Sequence, residues 1–99
     1  MSGAAELRDA HLRITVLRLL AESPADALND SMLYDLVSEF AFGVSRDKLR
    51  CELDWLGEQG LVAVEELRGL ARATLTAKGA DVAAGRVAHR GVKKPTRLG

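Results

Sequence analysis

Residues 43 to 62 read GVSRDKLRCELDWLGEQGLV, and the leucine spacing in that stretch decides the kind of chain this is. Leu49, Leu53 and Leu56 recur at steps of four and three, which puts them on one face of a helix and predicts a core-facing seam. Ser45, just ahead of the seam, is placed to cap that helix by accepting a backbone N–H bond. Asp47, Arg50, Cys51 and Asp54 fall on the opposite face, with Arg46 and Lys48 flanking, so the first turns offer water a polar, charge-rich surface. Gly60 stands where a helix C-terminus commonly needs a left-handed residue, and Leu61 and Val62 open an extended run. A helix therefore stops, and a strand starts, at that glycine.

The sequence on either side reads as a frame for this helix. Residues 5–21 predict a helix in which Leu7, Ile14, Leu17 and Ala21 share a face that Leu12, Val16, Leu19 and Leu20 widen. That is more apolar surface than a surface helix needs, which points to a homodimer through part of it; Met1 to Ala4 are expected to be loose. ESPADAL, residues 22–28, ends the helix at its proline, and Asn29 or Asp30 caps a second helix over 31–41 with Leu33, Leu36, Val37 and Phe40 inward. Phe42, Gly43 and Val44 turn into the third helix, so helix, short glycine-containing turn and helix form a helix-turn-helix. After Gly60, LVAVEEL and ARATLT joined through Arg68-Gly69 predict a β-hairpin over 61–76. Thr76 then caps a final helix over 77–89 that holds Val82 and Val87, and residues 91–99 form a basic tail, flexible or docked on the surface. The expected fold class is mainly α with a small β-hairpin, a winged helix-turn-helix spanning residues 1–90.

At 99 residues the chain holds one domain, with a thin core. Fourteen bases balance fourteen acids, so net charge names no partner, but the distribution is polarised. Residues 1–42 carry three bases against seven acids, residues 43–80 six against six, and residues 81–99 five against one. Cys51 is the only cysteine, which rules out an internal disulfide and suits a reducing cytoplasm. No apolar run is long enough to cross a membrane, and the start lacks the pattern of an export signal. No nucleophile motif, phosphate loop or paired-carboxylate arrangement is present, so an enzyme is not expected. No cofactor or metal is expected either, because His11, His89 and one thiol fall short of four converging ligands.

Double-stranded DNA is the partner these residues suggest. Ser45, Arg46, Asp47, Lys48 and Arg50 occupy the first turns of the third helix, where side chains reach base edges or phosphates. Asp47, Glu52, Asp54 and Glu58 oppose this and give that helix about one net negative charge. A solvated Arg50–Asp54 pair without any partner is the plainer alternative. Arg68 at the hairpin tip suits a minor groove and Arg72 a phosphate, with Glu65 and Glu66 opposing them. Lys93 and Lys94, with Arg90 and Arg97, supply salt-sensitive phosphate contacts or simply a solubilising tail. Trp55 flanks the leucine seam and is expected to pack against the hairpin or the last helix, and Tyr34 to sit at a rim.

On the run from Val44 to Val62 followed by a hairpin and LTAKG, the chain resembles the winged helix-turn-helix of bacterial regulators of the MarR, PadR and ArsR types. Over most of its length it is similar to the small winged-helix proteins of Mu-like phages and prophages often labelled ArsR-like. The matching segments are Ile14 to Leu20 (interrupted by Thr15), Leu28 to Leu33, Val44 to Asp47, Glu52 to Val62, Ala73 to Arg86 and Gly91 to Pro95. It departs from true ArsR regulators in lacking the cysteine pairs or clusters with which they sense metals. The resemblance implies a winged helix and a phage setting, and leaves two function classes: a DNA-binding regulator of phage genes, or a winged-helix adaptor that binds protein.

Overall fold

The computed structural model describes residues 3–40 and 43–95. Gly3–Ala21 form α1, so Gly3 and Ala4, expected to be loose, are helical, while Met1 and Ser2 lie outside the described residues. Leu12, Val16, Leu17 and Leu20 of α1 are fully buried, with Ile14 and Thr15 close behind. Apolar residues surround this part of the helix because it has neighbours on several sides: α2 (Asp30–Ser38), α3 (Arg46–Glu58), α4 (Ala77–Ala83) and strand β3 (Leu70–Leu75). Most of the apolar surplus that suggested a second subunit is thus used within one chain. Leu7, 72% exposed, and Ala21 stay outside.

After α1, Ser23 Oγ donates to the Leu19 carbonyl at 2.6 Å and Pro24–Asp26 make one 3₁₀ turn. The chain then continues as a short strand, β1 (Ala27–Asn29), an element the sequence did not predict. The Asn29 side chain caps α2, accepting from the Met32 N–H at 2.8 Å. Leu33 and Val37 are buried, but Phe40, expected on the same stripe, is 56% exposed. The helix ends at Ser38 where an end at 41 was expected, so Phe40 falls beyond the last turn and off the inward face. Phe42, placed by the sequence in the following turn, lies outside the described residues.

In α3 the Ser45 hydroxyl accepts from the Lys48 N–H at 3.0 Å, and Leu49, Leu53 and Leu56 are at most 1% exposed. Burying each such leucine stabilises the fold by about 2 kcal/mol. Gly60 adopts φ +76, its N–H donating to the Gly57 carbonyl and that of Leu61 to the Leu56 carbonyl, both at 3.0 Å. This double closure, with Leu56 and Leu61 both buried, is a Schellman stop. β2 (Val62–Leu67) and β3 form an antiparallel hairpin with Leu67 opposite Leu70. Its two-residue tip, Arg68-Gly69, has φ +52 and +82, the pattern of a type I′ turn. β1 pairs with the other edge of β3, Leu28 opposite Ala73, giving a three-stranded sheet of order β1-β3-β2. Over the described residues the architecture is therefore mixed α/β, four helices with a three-stranded antiparallel sheet, where a mainly α domain with a small β-hairpin was expected. It is compatible with a small winged-helix-like fold.

Thr76 fastens α4 to the end of α3, its hydroxyl accepting from the Gly79 N–H at 3.0 Å and donating to the Gly60 carbonyl at 2.7 Å. α4 stops at Ala83 instead of running to His89, because Gly85 at φ +79 closes a second Schellman motif. Its N–H meets the Val82 carbonyl at 3.1 Å, and that of Arg86 the Asp81 carbonyl at 2.9 Å. Val87, expected in the core of a longer helix, is 49% exposed. The chain then returns to α1. The Lys93 N–H donates to the Ala10 carbonyl at 3.1 Å, and Val92 is 8% exposed. Of the basic tail, expected to be flexible or docked on the surface, residues 91–95 are thus docked, and Arg97, with the rest of 96–99, lies outside the described residues.

Candidate functional site

The third helix splits its bases into two groups. Lys48 reaches back toward α1, its Nζ 2.7 Å from Glu52 Oε2 and 3.0 Å from Asp9 Oδ1. Arg13 Nε approaches the other oxygen of Glu52 at 2.5 Å, so the 4% exposed Glu52 carboxylate is held between two cations. The Glu52 hydrogen bond chiefly, with Asp9 adding to it, holds the Lys48 ammonium above its ordinary pKa despite partial desolvation. Arg50 spans three elements, Nη1 lying 3.2 Å from Asp30 Oδ2 at the start of α2 and Nη2 2.5 Å from Glu66 Oε1 on β2. Asp30 is 5% exposed and its second oxygen accepts the Ala71 N–H at 3.3 Å. Arg50 Nε is buried without a partner among the described residues, which marks this guanidinium as a tie between elements more than a probe of solvent. The pairing imagined for Arg50 with Asp54 is replaced by these two longer-range ones.

A smaller group stays on the surface. Arg46 and Asp47 are exposed in the first turn of α3, and the Arg46 guanidinium lies 5.7 Å from the centroid of the Tyr34 ring on α2. Arg68 at the hairpin tip and Arg72 on β3 are exposed, and their side chains make no hydrogen bond or ion pair among the described residues. Arg72 sits opposite Glu65 on one side and Asn29 on the other, all in one row across the sheet. Exposed Leu67 and Leu70 flank the tip. With Lys48, Arg50 and Glu52 engaged internally, the exposed charges of α3 are Arg46 against Asp47, Asp54 and Glu58, a surface more acidic than the sequence count suggested. Ser45 is used by its cap, so of the nine candidate positions Arg46, Asp47, Arg68 and Arg72 remain free to face a duplex at α3 and the hairpin.

Lys93 and Lys94 are exposed elsewhere, over α1 and the end of α4, in a cleft shared with Arg18 and Arg86. Trp55 links α3 to that region. Arg13 stacks over its ring at 3.9 Å while donating to the Gly91 carbonyl at 2.9 Å, and His89 meets it edge-on at 5.9 Å. Trp55 therefore packs against α1 and the segment after α4. Two features escaped the sequence: the ladder of alternating charge Asp9, Lys48, Glu52, Arg13, and the cleft that brings Arg18 to Lys94. The only local signal for the first was the i, i+4 spacing of Lys48 and Glu52.

Among the described residues no helix is long and apolar enough to cross a membrane. The chain is 47% identical over 83 residues to gp26, an uncharacterized protein of Escherichia phage Mu, a match covering 84% of this chain and 85% of that protein. It is 41% identical over 63 residues to an uncharacterized protein of Haemophilus influenzae, covering 64% of this chain and 61% of that one. No family model matches the sequence, and no solved structure matches it.

Proposed function

The chain belongs to the family of phage Mu gp26, and on that footing we propose that it is a DNA-binding phage or prophage regulator of winged helix-turn-helix type. The observation that carries this proposal is the pair of exposed arginines, Arg46 on the first turn of a serine-capped helix and Arg68 on the tip of a type I′ hairpin, neither held by a carboxylate. A helix N-terminus presented to a groove with an arginine-tipped wing beside it is a geometry that contacts both base edges and backbone. Arg46 takes the base-edge role in this proposal, Arg68 the minor groove and Arg72 the flanking phosphate, while Lys48 and Arg50 hold the reading helix in place. A homodimer goes with it through the exposed Leu7 end of α1, and light scattering that finds a monomer at high concentration would remove that part.

A gel-shift titration with the phage's own intergenic DNA tests this. Arg46→Ala is expected to reduce sequence preference, costing about 1–3 kcal/mol against the preferred site, and Arg68→Asn to weaken binding to all duplexes and lower the salt slope by about one. A second reading, a winged-helix adaptor for a protein partner, is favoured by the three carboxylates Asp47, Asp54 and Glu58 on the exposed side of α3. Absence of any shift at low salt, or retention indifferent to both substitutions, would move the assignment to that adaptor.

A further inference from the structure

Between α1 and the segment that follows α4 lies a cleft of about 740 Å³, within the span of small-ligand sites. Arg18, Arg86, His89, Lys93 and Lys94 line it, no carboxylate among the described residues does, and Val82 and Val92 supply an apolar floor. Arg86 is matched by Asp81 at 2.9 Å, but the side chains of Arg18 and Lys94 make no hydrogen bond or ion pair among the described residues. Like charges gathered in one concavity repel, and low-dielectric walls focus their field on whatever enters. The walls are already set: Val92 is buried, Gly91 is held by Arg13, the Lys93 backbone is bonded to Ala10, and Pro95 rests beside Gly85. A site built this way loses little freedom on binding.

We infer that this cleft binds a phosphate-bearing small molecule of nucleotide size, with its phosphates between Arg18 and Lys94 and its less polar part over Val82 and Val92. Arginine grips phosphate oxygens through two parallel donors and lysine as a point charge, so the pair covers both modes. The site shares no residue with the arginines proposed to meet DNA, and its occupancy stands or falls separately. Trp55, the only tryptophan, touches His89 and so reports on the cleft from outside it.

The test is a titration of the full chain with inorganic pyrophosphate and with adenosine triphosphate, followed by Trp55 fluorescence and by calorimetry at low salt. A saturable one-to-one change is expected, with affinity falling about tenfold or more in Arg18→Glu with Lys94→Glu and unchanged in Arg68→Asn. Both reversals lie on exposed side chains, and circular dichroism checks that the variant folds. No saturable signal with either probe, or equal binding by the reversed variant, would overturn the inference. So would loss of duplex DNA binding in the reversed variant when neither small probe binds, which would give the cleft to nucleic-acid backbone instead.

Discussion

Glu52 shows how much one side chain can decide. Its position in α3 looks like one more surface acid, yet it is 4% exposed and neutralised by Arg13 and Lys48 together. Replacing it with alanine leaves two cations facing each other across α1 and α3, and chemical denaturation should record a loss of about 3 kcal/mol. The same contact carries a pH signature. Lys48 is raised above its ordinary 10.5 in the folded state, so its contribution is complete below about 10.5 and disappears as the pH climbs through the higher folded value. Alkaline unfolding curves of wild type should therefore show a loss of stability in that window that is smaller in Glu52→Ala, where only Asp9 remains beside the ammonium. Arg50→Ala should lower the melting midpoint, because the buried Asp30 keeps only the Ala71 N–H and Glu66 is released; a variant as stable as wild type would show the tie to be idle.

Two elements depend on backbone geometry that a substitution can probe. α4 docks by its Gly79 face on the turn before β2, where a methyl group would overlap the Leu61 carbonyl oxygen and stand 2.9 Å from Leu75 Cδ1. Gly79→Ala gains helix propensity but forces the helix off its seat, and a net loss of about 2 kcal/mol is expected in thermal or denaturant unfolding. The hairpin offers the opposite sign. Arg68 holds φ +52, a region an asparagine tolerates better, so Arg68→Asn should raise stability by about 0.5 kcal/mol while removing the tip charge. Loss of duplex binding in a variant that melts no lower would then belong to the charge, not to unfolding. The caps and the leucine seam of α3 were legible because they are local: Ser45 and Asn29 act within three residues, and a period of 3.6 repeats within one helix. The end of α4 was legible too, since Gly85 was there to mark it, but an alanine-rich run outweighed it. β1 was not legible, because three residues carry no alternation and become a strand only by pairing with the free edge of β3.

Over the whole molecule, the returning C-terminal segment closes the structure on α1. Removing residues from 91 onward would strip Val92 from the core, the Gly91 carbonyl from Arg13 and the cover from Trp55. A loss of about 2 kcal/mol and a shift of tryptophan emission to longer wavelength are expected; unchanged emission would show that the segment does not shield the ring. Where α2, α3 and α4 begin, which face of α3 turns inward and where the hairpin bends were determined by the sequence itself, since caps, apolar period and turn residues act over a few positions. Which charges remain available to a partner was decided only by the tertiary structure. Asp9, Asp30 and Glu66 reach Lys48 and Arg50 across 16 to 39 residues of chain, as position numbers show, and no local pattern encodes a pairing that exists only once α1, α2 and β2 have packed around α3.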